Sequence, residues 1–382
     1  VRGLAPPAGA SRSRAARPAL PGPGAGVRRA QGVAWLVFGA FLVAFPAIFT
    51  NPTITSIAVF TLIFMTSATA WNAFSGYSGY LALGHAAFFG TGAYTLAVLT
   101  TDLHTPGGYG VFWFVPLGGL VAALAAIPVG FVALRTRRHT FVVITIAIFF
   151  IFQLLATNFS FTGSSSGEQT PTPSWSAGGY NDRFYYAALI CLAIAVTFAV
   201  LIRRSRFGLQ LLAIRDDEDR ASGLGVRVTR VKLVAFVISA FSVGMVGAVY
   251  AYFLGQIYPQ FAFDPLFDLT IALMAFLGGL GTLSGPLLGA LLLEPLQQYF
   301  TLEFSAGDLY LIIYGALFLV VILLMPRGIV PALTDLVSLG RARRSDRVEA
   351  AALGEGGTQE VAATPAVAEQ VPAVPGGSAR GR

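Results

Sequence analysis

The sequence predicts an all-α polytopic transmembrane bundle of about ten helical spans, and three observations carry that prediction. Charged residues make up 11% of the 382 positions against 55% hydrophobic ones, and the mean hydropathy is +0.71. A water-soluble domain carries roughly 25% charged residues, so lipid is the main solvent. The charges are also clustered: no Asp, Glu, Lys or Arg occurs at 30–101, enough chain for three crossings of roughly 20 residues each. Further uncharged runs cover 103–134, 139–167, 184–202, 233–263, 269–293 and 309–326. They are too long for barrel strands and lack strict alternation, which leaves helices as the way to satisfy backbone groups in hydrocarbon.

Along the chain, residues 1–32 are rich in Arg, Ala, Pro and Gly without an acidic residue, a composition expected to stay disordered. The first apolar stretch, 33–49, is too long for a removed signal and is read as an uncleaved helix. Further spans are expected at 54–73, 80–100, 111–134, 141–157, 184–202, 233–253, 267–280, 286–300 and 309–325. Residues 33–328 thus form the membrane domain, 203–232 its long polar loop, and 329–382 a solvated Ala-, Gly-, Pro- and Glu-rich tail. Ten crossings put Arg2, Arg12, Arg14, Arg17, Arg28, Arg29, Arg135, Arg137, Arg138, the 203–232 loop and Arg327 on one side. The opposite loops hold Asp102, Glu168, Asp182, Asp264, Glu303 and Asp308, with Arg183 as their one basic residue. Positive residues mark the cytoplasmic side, so both termini are expected inside.

Several functions are excluded or disfavoured. The net charge is +7, but its basic residues sit in separated blocks, not on a continuous face that could follow a nucleic acid. Lys232 is the only lysine and follows Val231, so the chain lacks the Gly–Lys pair of a phosphate-cradling loop. Cys191 is the only cysteine, which rules out an internal disulfide or a cysteine metal cage. His85, His104 and His139 are separated by membrane passages and have no metal-ligand spacing, so an enzyme is disfavoured. No cofactor is expected on the chain itself.

Glycine marks two segments. Gly76, Gly79, Gly84, Gly90 and Gly92 crowd around His85, and Gly278, Gly279, Gly281 and Gly285 interrupt a later span. Such paired interruptions either line a pathway through the membrane or let helices pack closely. The 203–232 loop carries the third pattern. Leu209, Leu212, Ala213 and Asp216 fall on helical faces with Ile214 and Arg215 between them, an acidic cluster with Asp217 and Glu218 follows, and Gly223 and Gly225 supply a stop. A short amphipathic helix of this kind docks in a groove on a soluble partner, or lies on the membrane, or simply connects. Among intramembrane polar residues, Glu294 falls between Leu293 and Pro295, where an ionisable group is costly unless it meets water or a partner. His85 is read as a pathway candidate or a hydrogen-bonded packing residue. Asp268 is expected to be a hydrated cap at a membrane edge, Asn72 and Gln153 interhelical hydrogen-bonding residues, and Trp71, Trp113 and Tyr94 interface anchors.

The segments GYLALGHAAFFGTGAY at 79–94, SRFGLQLLAIRDDE at 205–218 with GLGV at 223–226, and GGLGTLSGPLLGA at 278–290 closely resemble the LivM-type permease of branched-chain amino acid ABC importers. TRVKLVAF at 229–236 and MPRG at 325–328 fit the same pattern, in the same order, over about 53–328. The resemblance implies a transmembrane subunit in a bacterial cytoplasmic membrane that forms a translocation path with a sister permease. It also implies two cytoplasmic ATP-binding subunits, which hold the ATP, and an extracytoplasmic binding protein that selects a branched-chain or related amino acid. The 209–225 segment would then be the coupling loop to the ATPase. A stand-alone ion-coupled carrier using Glu294 and His85 is the alternative, and it has no need of a docking helix.

Overall fold

The computed structural model describes residues 25–175, 177–303, 315, 316, 319 and 328–332. Most of the expected N-terminal arm and C-terminal tail, and all but three residues of the expected tenth span at 309–325, lie outside them. The described chain is a helical bundle, and six of its segments are long and apolar enough to cross a membrane: Pro52–Gly76, Tyr109–Ala133, Arg138–Asn158, Gly179–Arg204, Val228–Leu254 and Pro259–Gly278.

Helix α1 (Ala25–Ile48) begins ahead of the expected first span. The next, α2 (Pro52–Trp71), starts at the capping side chain of Asn51, which accepts from the Thr53 amide at 3.0 Å, with Pro52 in the first turn. It widens into a π turn at Asn72–Gly76. After Ser78 the chain is not helical again until α3 (His85–Asp102). A 3-10 turn at Tyr109–Phe114 leads into α4 (Val115–Ala133), followed by α5 (Arg138–Asn158). Two-residue strand β1 (Glu168–Gln169) precedes α6 (Ala177–Arg204). The polar loop folds as α7 (Arg206–Asp216) and α8 (Glu218–Gly223), capped by the side chains of Ser205 and Asp217. Then follow α9 (Val228–Leu254), β2 (Gln256–Ile257), which pairs antiparallel with β1, and the single turn α10 (Pro259–Ala262). The interrupted span forms α11 (Pro265–Gly278) and α12 (Gly285–Glu303).

Helix α9 is the axis of the bundle, packed by α2, α3, α4 and α6. The most apolar stretches of α9 and of the α10–α11 segment Pro259–Gly278 are 67% buried, whereas that of α5 is 22% buried, so α5 stands at the rim. Its Val143, Phe150, Ile151 and Leu154 are exposed, as are Leu120, Leu124 and Phe131 of α4. An apolar belt of that size suits hydrocarbon, not water. Close approach at the centre depends on small residues, because helices in lipid are drawn together by packing more than by the hydrophobic effect. Gly92 on α3, Gly118 and Gly119 on α4 and Gly244 on α9 face one another; a Cβ on Gly118 would lie 2.9 Å from the Gly92 carbonyl oxygen.

Three sequence expectations about placement are corrected. Trp71 is fully buried, its indole N–H bonded to the Ala82 carbonyl at 2.7 Å, and Tyr94 is buried and stacked on Phe263, so neither is an interface anchor. Trp113, 84% exposed, does stand at the periphery. Asp268 is not a hydrated cap of its own helix. It is 2% exposed and caps α3 from across the bundle. For Tyr94 and Asp268 the partner lies far away in sequence, where hydropathy carries no information, and Trp71 is enclosed by a turn of the chain back to Ala82 that hydropathy does not show.

Candidate functional site

The two glycine-marked segments are breaks in helices, and they meet. Asn72 in the π turn donates from Nδ2 to the Thr282 carbonyl at 2.8 Å and accepts from the Gly281 amide at 2.8 Å, so one side-chain amide holds the whole 279–284 turn. Gly79, Gly279 and Gly281 have φ of +72°, +122° and +78°, conformations that glycine adopts at no steric cost. Gly76 has no room for a side chain, since a Cβ would stand 2.9 Å from the Gly281 amide nitrogen. Between Gly79 and α3 the backbone runs without its own hydrogen-bond ladder, and side chains replace it. Trp71 and Ser75 bond to the backbone of Ala82, and Thr145 accepts from the Leu83 amide at 3.2 Å. A chain inside a membrane bundle requires such substitutes.

The start of α3 is internal. His85 lies beside Ser239 and, through it, Ala70, which is six residues or roughly 9 Å of helix short of Gly76. There Asp268 accepts from the His85 amide at 2.9 Å and the Ala86 amide at 3.2 Å, setting a carboxylate against the positive end of the helix. The His85 ring is buried between Phe88 and Phe236. Ser239 spends its hydroxyl proton on the Ala70 carbonyl, so His85 Nε2 must be the donor of the 2.7 Å bond to Ser239. Its Nδ1 has no partner among the described residues.

The α7–α8 loop is bolted to this junction. Arg215 Nη1 donates to the Gly76 carbonyl at 2.7 Å, closing the end of the π turn, and its aliphatic stem packs on Gly79. From α5, Arg138 donates to the carbonyls of Ile214 and Arg215 at 3.1 and 2.6 Å, a cation at the negative end of α7. Glu218 accepts from Lys232 at 2.8 Å and from the Tyr80 hydroxyl, and the Lys232 ammonium also sits 4.1 Å over the Tyr80 ring. Burial would push the Glu218 carboxyl up, but the hydrogen bonds from Lys232 and Tyr80 and the charges of Lys232 and Arg138 outweigh it and hold it below its ordinary value. Thus Tyr80, from the first break, Glu218, from the loop, and Lys232, from the root of α9, form one cluster.

The loop has two faces. Leu211, Ile214 and Ala221 are buried inward, whereas Leu209, Leu212 and Leu224 are 65%, 40% and 85% exposed. Of the residues singled out in the sequence, Ile214, Arg215 and Glu218 therefore face the bundle. Leu209, Leu212 and Asp216 face away, Ala213 and Asp217 are intermediate, and Gly223 and Gly225 form the exposed stop, with Gly225 at φ +87°. Arg138, Lys232, Tyr80 and Asp268 were missed as site residues. Lys232 did carry a signal, as a solitary lysine opening an apolar span.

A separate feature lies deeper. A cavity of about 230 Å³ is lined by residues of α2, α3, α9, α11 and α12, among them Phe60, Phe89, Tyr250, Thr270 and Glu294. Glu294 is fully buried; its Oε1 accepts from Gln298 at 2.9 Å, and its Oε2 has no partner among the described residues. Of the residues picked as pathway candidates, Glu294 alone lines this cavity. Gly76, Gly79, Gly84, His85, Gly278, Gly279, Gly281 and Gly285 are instead packed at the breaks, Gly84 against the Thr145 carbonyl and Gly278 against Gly285. Asn72, and Gln153 through its 3.1 Å bond to the Phe263 carbonyl, join separate elements as expected.

Residues 53–322 match the family described as the branched-chain amino acid transport system permease component. The chain is 31% identical over 304 residues to the high-affinity branched-chain amino acid transport system permease protein LivM of Salmonella typhimurium, covering 72% of this chain and 69% of the relative. It is 30% identical over 318 residues to LivM of Escherichia coli, covering 76% and 72%. A shorter match, 28% identity over 141 residues, covers 37% of this chain and 45% of the permease protein LivH of Escherichia coli. No solved structure matches. A multi-pass helical bundle whose two broken helices and polar loop carry the matched segments thus belongs to the family of branched-chain amino acid transport system permease components.

Proposed function

We propose that this chain is one transmembrane permease subunit of an ATP-driven importer for branched-chain or related amino acids in a bacterial cytoplasmic membrane. It forms the translocation path with a sister permease, receives its solute from an extracytoplasmic binding protein, and is driven by two cytoplasmic ATP-binding subunits. It crosses the membrane ten times with both termini inside. The α7–α8 loop is the coupling segment.

The observation that carries this reading is the two-faced loop. Its outward face offers Leu209, Leu212 and Leu224 as apolar anchors among Asp216, Asp219 and Arg220, the composition of a helix that seats in a partner's groove. Its inward face ties through Arg215 and Glu218 to the first break and to the root of α9, and Arg215 also packs against Gly281 of the second break. A push on the outer face is thereby a push on the breaks. Closure of the ATPases shifts the permease to the extent that the loop's contacts differ between the two states. The second reading, an ion-coupled carrier, draws on Glu294, whose Oε2 has no partner among the described residues.

One experiment separates them. The assembly co-purified with the products of neighbouring genes is reconstituted with Leu212→Asp. Loss of ATP-driven uptake and of ATPase association, with the unfolding temperature of the isolated permease unchanged, is expected. Normal coupling in the variant, or solute accumulation by the isolated chain on an ion gradient, would overturn the proposal.

A further inference from the structure

Inside the bundle, a small chamber combines features that the junction at the breaks does not use. Half of its lining residues are aromatic, Phe60, Phe89 and Tyr250 among them, and the polar ones include Asp264, Glu294 and Gln297. Two acidic side chains and no basic one line it, so the field inside favours a cation over an anion. Asp264 is already committed, since its Oδ1 caps α11 through the Leu266 amide at 2.9 Å. Glu294 is not. Its Oε2 and the Oε1 of Gln297, one turn away on α12, are both buried and both without a hydrogen-bond partner among the described residues. These are two acceptors with no donor.

A buried acceptor left bare costs free energy that a bound donor returns. A primary ammonium carries three N–H donors and a positive charge, enough to serve acceptors three residues apart on one helix, and an aromatic lining is the setting for cation–π attraction. The volume, about 230 Å³, lies below the roughly 300–1,000 Å³ of sites for drug-sized ligands, a size for one amino acid, not a peptide. Its depth fits a waypoint: Glu294 lies nine residues into α12, roughly 13 Å along the helix from Gly285 and the break. Transporters commonly hold solute near the middle of the membrane, beside interrupted helices.

We propose that this chamber is a binding site for a free amino acid with an apolar side chain, its ammonium group held by Glu294 Oε2 and Gln297 Oε1 and its hydrocarbon by the surrounding rings. This rests on the transport reading above and deepens it: the permease itself, not only a binding protein, recognises the solute, and it does so at the amine end. Because the lining offers the carboxylate end only the hydroxyls of Thr270 and Tyr250 and the side-chain amides of Gln297 and Gln298, removing the carboxylate should matter less than removing the amine.

The test uses the full chain in lipid nanodiscs, with binding followed by displacement of radiolabelled leucine. Leucine and 3-methylbutylamine are expected to compete, while 4-methylpentanoate, which lacks the amine, is expected not to. Glu294→Gln should weaken leucine binding roughly tenfold or more. Wild-type binding alone keeps the proposal falsifiable should the variant fail to fold. Equal competition by 4-methylpentanoate, unchanged affinity in Glu294→Gln, absence of leucine binding to the wild type, or displacement of leucine by sodium chloride but not by the amine would each overturn it. The transport reading is judged separately. An assembly that still couples ATP hydrolysis to uptake through Leu212, yet shows any of these results, loses the chamber and keeps the coupling loop.

Discussion

Glu218 is the residue on which the loop's attachment turns, because two donors from different parts of the bundle converge on it. Lys232 is 1% exposed and Glu218 one-third exposed, so loss of the carboxylate strands a buried ammonium that keeps, among the described residues, its contact with the Tyr80 ring. The exposed Arg220–Asp217 pair beside it, at 2.9 Å, is a surface bridge worth about 0–1 kcal/mol. Glu218→Gln should therefore lower the unfolding temperature of the purified chain much more than Asp217→Asn, which retains an Oδ1 cap for the Arg220 amide. The pH dependence follows from the direction of the shift. A carboxyl held below its unfolded value contributes stability that is fully present above that value, about 4.3, and is lost as the pH falls through the lower folded value. The gap between wild type and Glu218→Gln should stay constant from pH 8 to pH 6 and shrink only below about 4.3. A gap that already closes near pH 6 would mean that Glu218 is not held down by its partners.

At the scale of elements, the helices were legible and their breaks only partly so. Runs without charge located α2, α3, α4, α5, α9, α11 and α12 to within about five residues at either end, since a charge in hydrocarbon is expensive wherever it falls, but α1 and α6 begin earlier than expected and the single turn α10 was not foreseen. The clusters around Gly79 and Gly281 announced irregular backbone, but one-dimensional pattern could not say that the two would touch, nor that Arg215 would lie between them. Asn72 and Thr282 are separated by 210 positions. Hydropathy likewise reports how apolar a helix is and not which neighbour it meets, which is why Trp71 and Tyr94 were read as peripheral. The α3–α4–α9 contact shows what glycine contributes when two backbones approach. A Cβ on Gly244 would press on the Gly118 carbonyl oxygen at 3.0 Å and on Ala122 more closely still. Gly244→Leu should cost about 1–3 kcal/mol, the usual penalty of overpacking, or abolish accumulation of the protein. Gly39→Leu on α1, where a Cβ meets nothing within 4 Å, is the matched control and should leave the unfolding temperature nearly unchanged. Equal effects of the two substitutions would refute this view of the core.

For the molecule as a whole, the described breaks, loop and chamber are stacked in order: loop α7–α8 against the two breaks, and the chamber on the far side of them. If basic residues mark the inner side, the loop is cytoplasmic and the α3–α4 connection is external. Cys191 is buried, so the natural chain gives little background with thiol reagents. Asp219→Cys should react with a membrane-impermeant maleimide only after cells are opened, and His104→Cys should react in intact cells. The reverse pattern would invert the orientation. The same arrangement makes the chain's lone side-chain amine a reporter. Since Lys232 is sealed under Glu218 and Tyr80, an acylating reagent gains access to it only when the loop parts from the breaks, and the rate of its modification becomes a clock for how often that seam opens.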